Sequence, residues 1–312
     1  MKKISLSSCT YRENVIKYKM DMYLSAYAQY FIAFFIFSER IYGEMYIHDS
    51  HIHTKFSFDS DADINEIAET AIARGISEIS LCDHCDIDND LAGIYPKFLS
   101  DDARVDILAA KEKYAGKVQI NYGVELGEAH VCPKESRALI EKMGYDFVIG
   151  SLHNLRGYPD FSLLKFERMS AQQRAYLMRR MLSETEEIVD FGGFSTLAHI
   201  TYIQRYLTLS GCPFEYETHK EDFARIFTKL IDKKIALEIN TSGLRRDSIT
   251  MPGYELAALY RDLGGELITF GSDAHFADDI GKGIEEAADA LRKLGFKSQC
   301  VVRGGKLTQI EL

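Results

Sequence analysis

The sequence is poor in several features that would place it at once. It has six cysteines in 312 residues, at positions 9, 82, 85, 132, 212 and 300. These are too few and too scattered for the disulfide framework of a small secreted protein, so a reducing cytoplasm is the expected setting. Cys82 and Cys85 form a C-x-x-C, but no second pair follows to complete a zinc ribbon, and Asp83 and His84 lie between them. We read them as two small residues packing near a strand end rather than as a redox pair. Basic charge is also short: 37 Lys and Arg stand against 47 Asp and Glu, a formal net charge of -10. That balance argues against a nucleic-acid partner, whose footprint is usually a basic stripe. It leaves room for an anionic small substrate, because bound metal cations make a site locally positive.

Long apolar runs are missing too. The Tyr/Phe-rich stretch from Tyr23 to Phe37 contains Gln29 and falls short of the about 20 apolar residues of a membrane-spanning helix. "SERIYGE", which follows it, is a poor signal-peptide cleavage site. A peripheral amphipathic anchor is one reading of this run. The preferred one is that residues 1–44 are an upstream extension and that the natural chain begins at Met45, which opens the first core strand, "MYIHDSHIH". No low-complexity linker and no short repeat divides residues 45–312, which are read as one domain.

What is present from Met45 onward is an alternation. Strand-type apolar runs fall at about 45–50, 77–82, 118–124, 145–150, 194–198, 234–239, 266–271 and 298–303. Helix-type stretches separate them, such as "DADINEIAETAIARG", "DDARVDILAAKEKYAG", "AQQRAYLMRRMLSETEEIVDFGG" and "DIGKGIEEAADALRKLG". Several begin at Asp and several end in Gly, ordinary helix start and stop signals. Alternating β and α units imply an α/β fold with a parallel sheet, and about seven units suggest a closed barrel.

The histidines fall in register with these units. His51 and His53 end the first strand, and two residues two apart on a strand point the same way. His84 ends the second, Glu125 the third, His153 follows the fourth, and His199 ends the fifth. Asp273 and His275 follow the seventh, and Asp59 lies six residues past His53. One histidine after one strand is ordinarily a hydrogen-bonded core or surface residue. Six of the nine at equivalent places mark the C-terminal face of the strands, where barrel enzymes place their active sites. His48, His130 and His219 fall outside the scheme and are read as structural or solvated. With Asp59, Glu125 and Asp273 the set offers nine N and O donors, more than the about three that one catalytic zinc takes from protein. Two or three divalent ions are expected, with Zn, Mn or Fe suited to imidazole and carboxylate. Such a centre clamps a phosphoryl group and activates water, which points to hydrolysis of a small-molecule phosphate ester.

The ordered motifs "HIHTKFSFD", "CDH", "GVE", "GSLH", "AH" and "GSDAH" resemble the PHP (polymerase and histidinol phosphatase) superfamily over essentially all of residues 45–312. The long insertion between His153 and His199 and the "LEINTSGLRR" segment are most similar to its histidinol-phosphate phosphatase branch. The resemblance implies a distorted seven-stranded (β/α) barrel of PHP type with a trinuclear metal site at the C-terminal strand ends. It implies that His51, His53, Glu125 and Asp273 hold one metal, that Glu125 bridges to a second held by His153 and His199, and that Asp59, His84 and His275 hold a third. Asp59 is a departure, since some relatives carry His there, and it bears on which ion the third position takes. Glu125, Asp273 and His275 are the expected catalytic residues. A hydroxide shared between two metals would attack phosphorus in line, with no phosphoenzyme.

Arginines that fork onto phosphate are sought near strand ends. Arg205 and Arg156 are favoured, followed by Arg245 or Arg246, with Asn240 as a supporting residue. Glu215, Tyr216 and Glu217 are candidates for reading the substrate's cationic part, set against a reading as plain surface charge. The expected reaction is hydrolysis of L-histidinol phosphate in histidine biosynthesis. The alternatives are a PHP-type phosphoesterase of other specificity (protein-tyrosine, sugar or nucleotide phosphates), a polymerase-associated exonuclease, which the acidic charge opposes, and a non-catalytic metal-binding protein.

Overall fold

The computed structural model describes residues 45–87, 100–212, 215–246 and 248–312. The expected extension at 1–44 lies outside the described residues. In chain order the strands are β1 (His48–Ile52), β2 (Glu78–Leu81), β3 (His84–Asp86), β4 (Gln119–Gly127), β5 (Phe147–Ser151), β6 (Thr196–Leu197), β7 (Ala236–Asn240), β8 (Ile268–Gly271), β9 (Ser298–Arg303) and β10 (Lys306–Glu311). The helices are α1 (Ile64–Ala73), α2 (Ser100–Lys113), α3 (Pro133–Met143), α4 (Ala171–Phe191), α5 (Tyr202–Leu209), α6 (Lys220–Lys233), α7 (Tyr254–Asp262) and α8 (Ile284–Lys293). None of the described helices is long and apolar enough to cross a membrane.

Seven strands run side by side in the order β1-β2-β4-β5-β6-β7-β8, every neighbouring pair parallel. Strand β3 pairs with the second half of β4, His84 opposite Glu125, and so prolongs the line of β2 past a break at Cys82 and Asp83. The strands are buried on both faces, as in β1, β5, β7 and β8. This is why β5 and β8 read in sequence as apolar runs rather than alternating ones, whereas β1, HDSHI, buries mostly polar side chains. Closure comes from β1 and the segment after β8. Asp273 N–H donates to the His51 carbonyl at 2.8 Å and His53 N–H to the Ala274 carbonyl at 2.9 Å, with a parallel bridge between Ile52 and Ala274. The barrel is therefore shut by the residues that carry its candidate ligands.

The helices start and stop as their sequences indicate. Asp63 caps α1 by accepting from Asn65 N–H, Ser170 and Gln173 form a capping box on α4, and Gly144 ends α3 in the left-handed region that glycine tolerates. Their apolar faces cover the strands. Phe147, Phe223, Phe227 and Phe270 are among the largest fully buried side chains, each contributing about 1.5–3 kcal/mol by leaving water.

The run at 298–303 departs from the expected alternation. It forms β9, which pairs antiparallel with β10 rather than with the barrel path. The hairpin meets the N-terminal ends of the strands, and its Val302 joins Cys82, Phe147, Ile149 and Ala198 in one buried cluster. A buried polar network meets it there. Val302 N–H donates to Glu78 Oε1 at 2.9 Å, and His48 lies 2.9 Å from Ser80 Oγ through Nε2 and 3.2 Å from the Cys300 carbonyl through Nδ1. His48 is thus structural and sits away from the other barrel end. Cys82 and Cys85 are both buried.

Candidate metal centre

The site is assembled around Glu125, a fully buried carboxylate on β4. Its Oε1 lies 2.9 Å from His153 Nε2 and 2.8 Å from His199 Nε2. Its Oε2 lies 2.8 Å from His84 Nδ1, 3.3 Å from His51 Nε2 and 3.6 Å from His53 Nε2. Asp273 Oδ1 stands 3.2 Å from His53 Nε2, 3.7 Å from His275 Nδ1 and 4.0 Å from His51 Nε2. At the solvent edge Asp59 Oδ2 is 2.9 Å from His275 Nε2 and 3.5 Å from His84 Nε2. All nine residues singled out in the sequence therefore converge, although they come from loops and strands up to 224 positions apart. The grouping differs in two details from that implied by resemblance. His53 stands with Asp59, His84 and His275 as well as with His51 and Glu125, and His84 also joins Glu125 and His153.

Backbone strain occurs at two of these residues. His199 has φ 22° and Asp273 φ 53°, conformations that cost a non-glycine residue about 1–3 kcal/mol and cluster at functional sites. Each is held by neighbours. His199 N–H donates to Glu238 Oε2 at 2.9 Å. Asp273 donates to β1, and its carbonyl accepts from Arg245 Nη2 at 3.3 Å.

An outer layer of acceptors orients the imidazoles. His51 Nδ1 is 2.7 Å from Glu238 Oε1 and His153 Nδ1 is 3.1 Å from Asp86 Oδ1. His53 Nδ1 is 3.0 Å from Ser57 Oγ, which donates to Asp83 Oδ1 at 3.1 Å. A proton kept on Nδ1 leaves the Nε2 lone pair facing the centre, as metal-ligating histidines require. The residues fit cations by a second test. His51 Nε2, His53 Nε2, His84 Nδ1 and Glu125 Oε2 are buried and make no hydrogen bond. Four such atoms facing one another in a protein interior would each cost about 1–3 kcal/mol; divalent ions would satisfy them together.

Electrostatics agrees. Burial opposes charge on His51, but the carboxylates of Glu238, Glu125 and Asp273 overcome it and raise its pKa well above the ordinary imidazole value. The same contest between burial and Glu125, with Asp59 or Asp86 beside it, raises His84 and His153. Burial and then the positive charge of His275 and His84 push His53 down to about 3. Burial works against ionised Glu125, yet the charges of His153, His84 and His51 hold its pKa well below the usual range. The carboxylates thus draw positive charge into the centre, supplied by protons when no metal supplies it.

The other expected residues lie further out. Arg205, buried on α5, donates from Nη2 to Ser242 Oγ at 2.7 Å, and that hydroxyl is 3.3 Å from Asp273 Oδ2. Asn240 donates to Glu238 Oε2 at 3.1 Å and to Asp273 Oδ2 at 3.4 Å. Arg245 donates to the Ser272 carbonyl at 2.7 Å, so its guanidinium braces the ligand loop. Arg156 follows His153, but its side chain is half exposed and pairs with Glu187 at 3.2 Å. His130 pairs with Glu184 at 3.2 Å and His219 with Asp222 at 3.8 Å, both away from the cluster. Glu215 lines a surface groove with Arg174, Cys212 and His219. Sequence reasoning did not single out Glu238, Asp83, Asp86 or Ser242. A signal existed for Glu238: a glutamate inside the apolar strand "ALEIN" is costly to bury without a partner.

A parallel barrel whose C-terminal mouth presents nine imidazole and carboxylate donors is a metal-binding barrel protein. The chain belongs to the PHP family, whose domain matches residues 49–242. It is 30% identical over 269 residues to the probable histidinol-phosphatase of Thermotoga maritima, a match covering 85% of this chain and 99% of that one. With the histidinol-phosphatase of Lactococcus lactis it shares 27% identity over 263 residues, 83% and 95% of the two chains. The crystal structure of the Lactococcus lactis histidinol phosphate phosphatase complexed with zinc, L-histidinol and phosphate superposes with a TM-score of 0.72 at 25% identity, covering 84% of this chain and 98% of that one.

Proposed function

We propose that this chain is a metal-dependent phosphomonoesterase that hydrolyses L-histidinol phosphate to L-histidinol and phosphate, a step of histidine biosynthesis in the cytoplasm. The observation that carries the reading is the convergence on Glu125 of buried donor atoms that have no other partner. Relatives named histidinol-phosphatase along most of the chain and the relative solved with zinc, L-histidinol and phosphate support the substrate.

Two or three divalent ions, Zn, Mn or Fe, suit the donor set. His51, His53, Glu125 and Asp273 would hold one, Glu125, His153 and His199 a second, and Asp59, His84 and His275 a third, with His53 and His84 also within reach of a neighbouring group. When bound, the ions neutralise phosphoryl oxygens and lower the pKa of the attacking water. The chain's own residues do the rest. Glu238, Asp86 and the Ser57–Asp83 pair fix the imidazole orientations. Arg205 stands one hydroxyl away from Asp273, placed to fork onto the phosphate and hold it for in-line attack. Arg156 is on the loop after His153. Its exposed pair with Glu187 is worth only about 0–1 kcal/mol, little to give up for a doubly charged phosphate.

The test is phosphate release from L-histidinol phosphate beside a phosphotyrosine peptide, phosphoserine and a nucleotide monophosphate, with enzyme loaded with Mn or Zn. Histidinol phosphate is expected to lead by orders of magnitude in kcat/KM. Flat rates, or another substrate in front, would overturn the assignment of substrate and leave the metal centre standing.

A further inference from the structure

We propose that Glu238 is a positioning residue that ties the two sides of the Glu125-bridged metal pair together, so that one buried carboxylate sets both the ring of His51 and the backbone of His199. The inference rests on the metal-centre reading of the site but not on the identity of the substrate.

Glu238 is fully buried on β7 and points into the barrel mouth. Its Oε1 faces His51 Nδ1 at 2.7 Å. Its Oε2 accepts from His199 N–H at 2.9 Å and from Asn240 Nδ2 at 3.1 Å. His51 Nε2 approaches Glu125 Oε2, and His199 Nε2 approaches Glu125 Oε1. The two residues that Glu238 holds therefore address opposite oxygens of the bridging carboxylate. Asn240 carries the tie further, since its amide also reaches Asp273 Oδ2 at 3.4 Å. His199 needs such an anchor because its φ of 22° is unfavourable for a side-chain-bearing residue. Space for the contact is made by Gly271 on β8, where an added Cβ would collide with Glu238 Oε1 and would come within 2.6 Å of the His51 Cβ.

The chemistry demands a carboxylate at this point. Every group that meets Glu238 is a donor: an imidazole N–H on one oxygen, a backbone N–H and an amide N–H on the other. Glutamine has one acceptor and one donor end. If its oxygen takes the His199 side, its NH2 faces His51 Nδ1 and drives that ring to the tautomer whose Nε2 carries the proton and cannot bind a metal. If its oxygen takes His51, its NH2 confronts the His199 N–H and loosens the strained loop. Either orientation spoils one side of the pair. Outer carboxylates on metal-bound histidines ordinarily tune affinity by about 10–100-fold.

The experiment is a Zn2+ competition titration against a chromophoric chelator, without substrate, on the full chain and on Glu238→Gln, Glu238→Asp and Gly271→Ala, with Co2+ absorption spectra of the same proteins. Glu78→Gln serves as control, because Glu78 is an equally buried carboxylate at the other end of the barrel. The expected result is at least about a 10-fold loss of Zn2+ affinity at one or more positions and an altered Co2+ spectrum in Glu238→Gln and Gly271→Ala, with Glu78→Gln unchanged in both. Full stoichiometry and affinity within twofold in a folded Glu238→Gln would overturn the proposal, and so would an equal loss in Glu78→Gln. If the Glu238 and Gly271 variants fail to fold, proton NMR of the Co2+-loaded wild-type chain decides. A hyperfine-shifted N–H assigned to His51 Nδ1 that resists exchange with D2O upholds the Glu238–His51 bond, and rapid exchange of that resonance refutes it. A chain that binds metal as described but ignores histidinol phosphate would leave this inference intact and remove only the substrate.

Discussion

Replacing Glu125 by Gln is the sharpest perturbation of the centre. The side chain is fully buried, with two imidazoles against one oxygen and three against the other. Gln keeps the shape and one oxygen but removes a unit of negative charge and presents NH2 where an acceptor stood. Two unit charges about 4 Å apart at an effective dielectric of about 20 interact by about 4 kcal/mol, so a divalent ion loses about 8 kcal/mol as an upper bound. The remaining amide oxygen and relaxation of the surroundings return part of this. A loss of about 4 kcal/mol is the working figure, or about a thousandfold in affinity for the shared ions. The variant should fold, because the imidazoles that were protonated to balance Glu125 become neutral once it is gone. The assay is Zn2+ competition by the variant, followed by turnover at saturating metal, with circular dichroism to confirm the fold. We expect metal retention and kcat both to fall by about a thousandfold. A folded variant that keeps both within threefold of wild type would refute the reasoning that places Glu125 as the shared ligand.

Metal binding should release protons and tighten as pH rises. His51, His84 and His153 have pKa values raised well above the ordinary imidazole value by neighbouring carboxylates acting against burial. Near neutral pH they therefore hold protons that a metal must displace, and lowering the pH adds competition. Calorimetry in two buffers of different ionisation enthalpy reads this directly, and identical heats would contradict it. Arg205→Lys exchanges a fork for a point charge and should raise KM by about 10–100-fold, the equivalent of a charged hydrogen bond of about 1.5–3 kcal/mol. Zn2+ affinity should not change, and an unchanged KM would remove Arg205 from the phosphate site. Phe147→Ala, at a fully buried position in the barrel core, should cost about 3–5 kcal/mol in denaturant unfolding of the metal-loaded chain. A loss under 1 kcal/mol would mean that the core there repacks.

The barrel was legible because strands such as β5 and β8 are buried on both faces and so appear as apolar runs, while the helices announce themselves by period and caps. Strands that lack this signal escaped. Strand β3 is three residues, His84, Cys85 and Asp86, all of them ionisable, and its strand character comes only from pairing with β4. Strand β10 is mostly exposed and polar, so nothing in its composition separates it from a loop. Strand β9 was visible as a run, but its role was not. A hairpin plug and a further barrel unit bury the same residues, and only the partner strand tells them apart. In the site, eight of the nine donors were readable because they sit at or just past strand ends of the same polarity, and Asp59 because it follows the first pair in the loop after β1. The residues that orient them were not. Glu238 and Asp86 act through tertiary hydrogen bonds across 187 and 67 positions, which no local pattern encodes. The arginines show the same limit: proximity to a strand end in sequence does not reveal that Arg245 faces backbone carbonyls while Arg205 faces Ser242.

The donor set around Glu125 is proposed to hold two or three divalent ions. The most direct measurement is anomalous diffraction at the zinc edge from crystals grown with Zn2+. The account predicts two or three peaks among His51, His53, Asp59, His84, Glu125, His153, His199, Asp273 and His275, at least two of them sharing Glu125. A map with no peak in that cluster, or with a single peak that Glu125 does not touch, would contradict it.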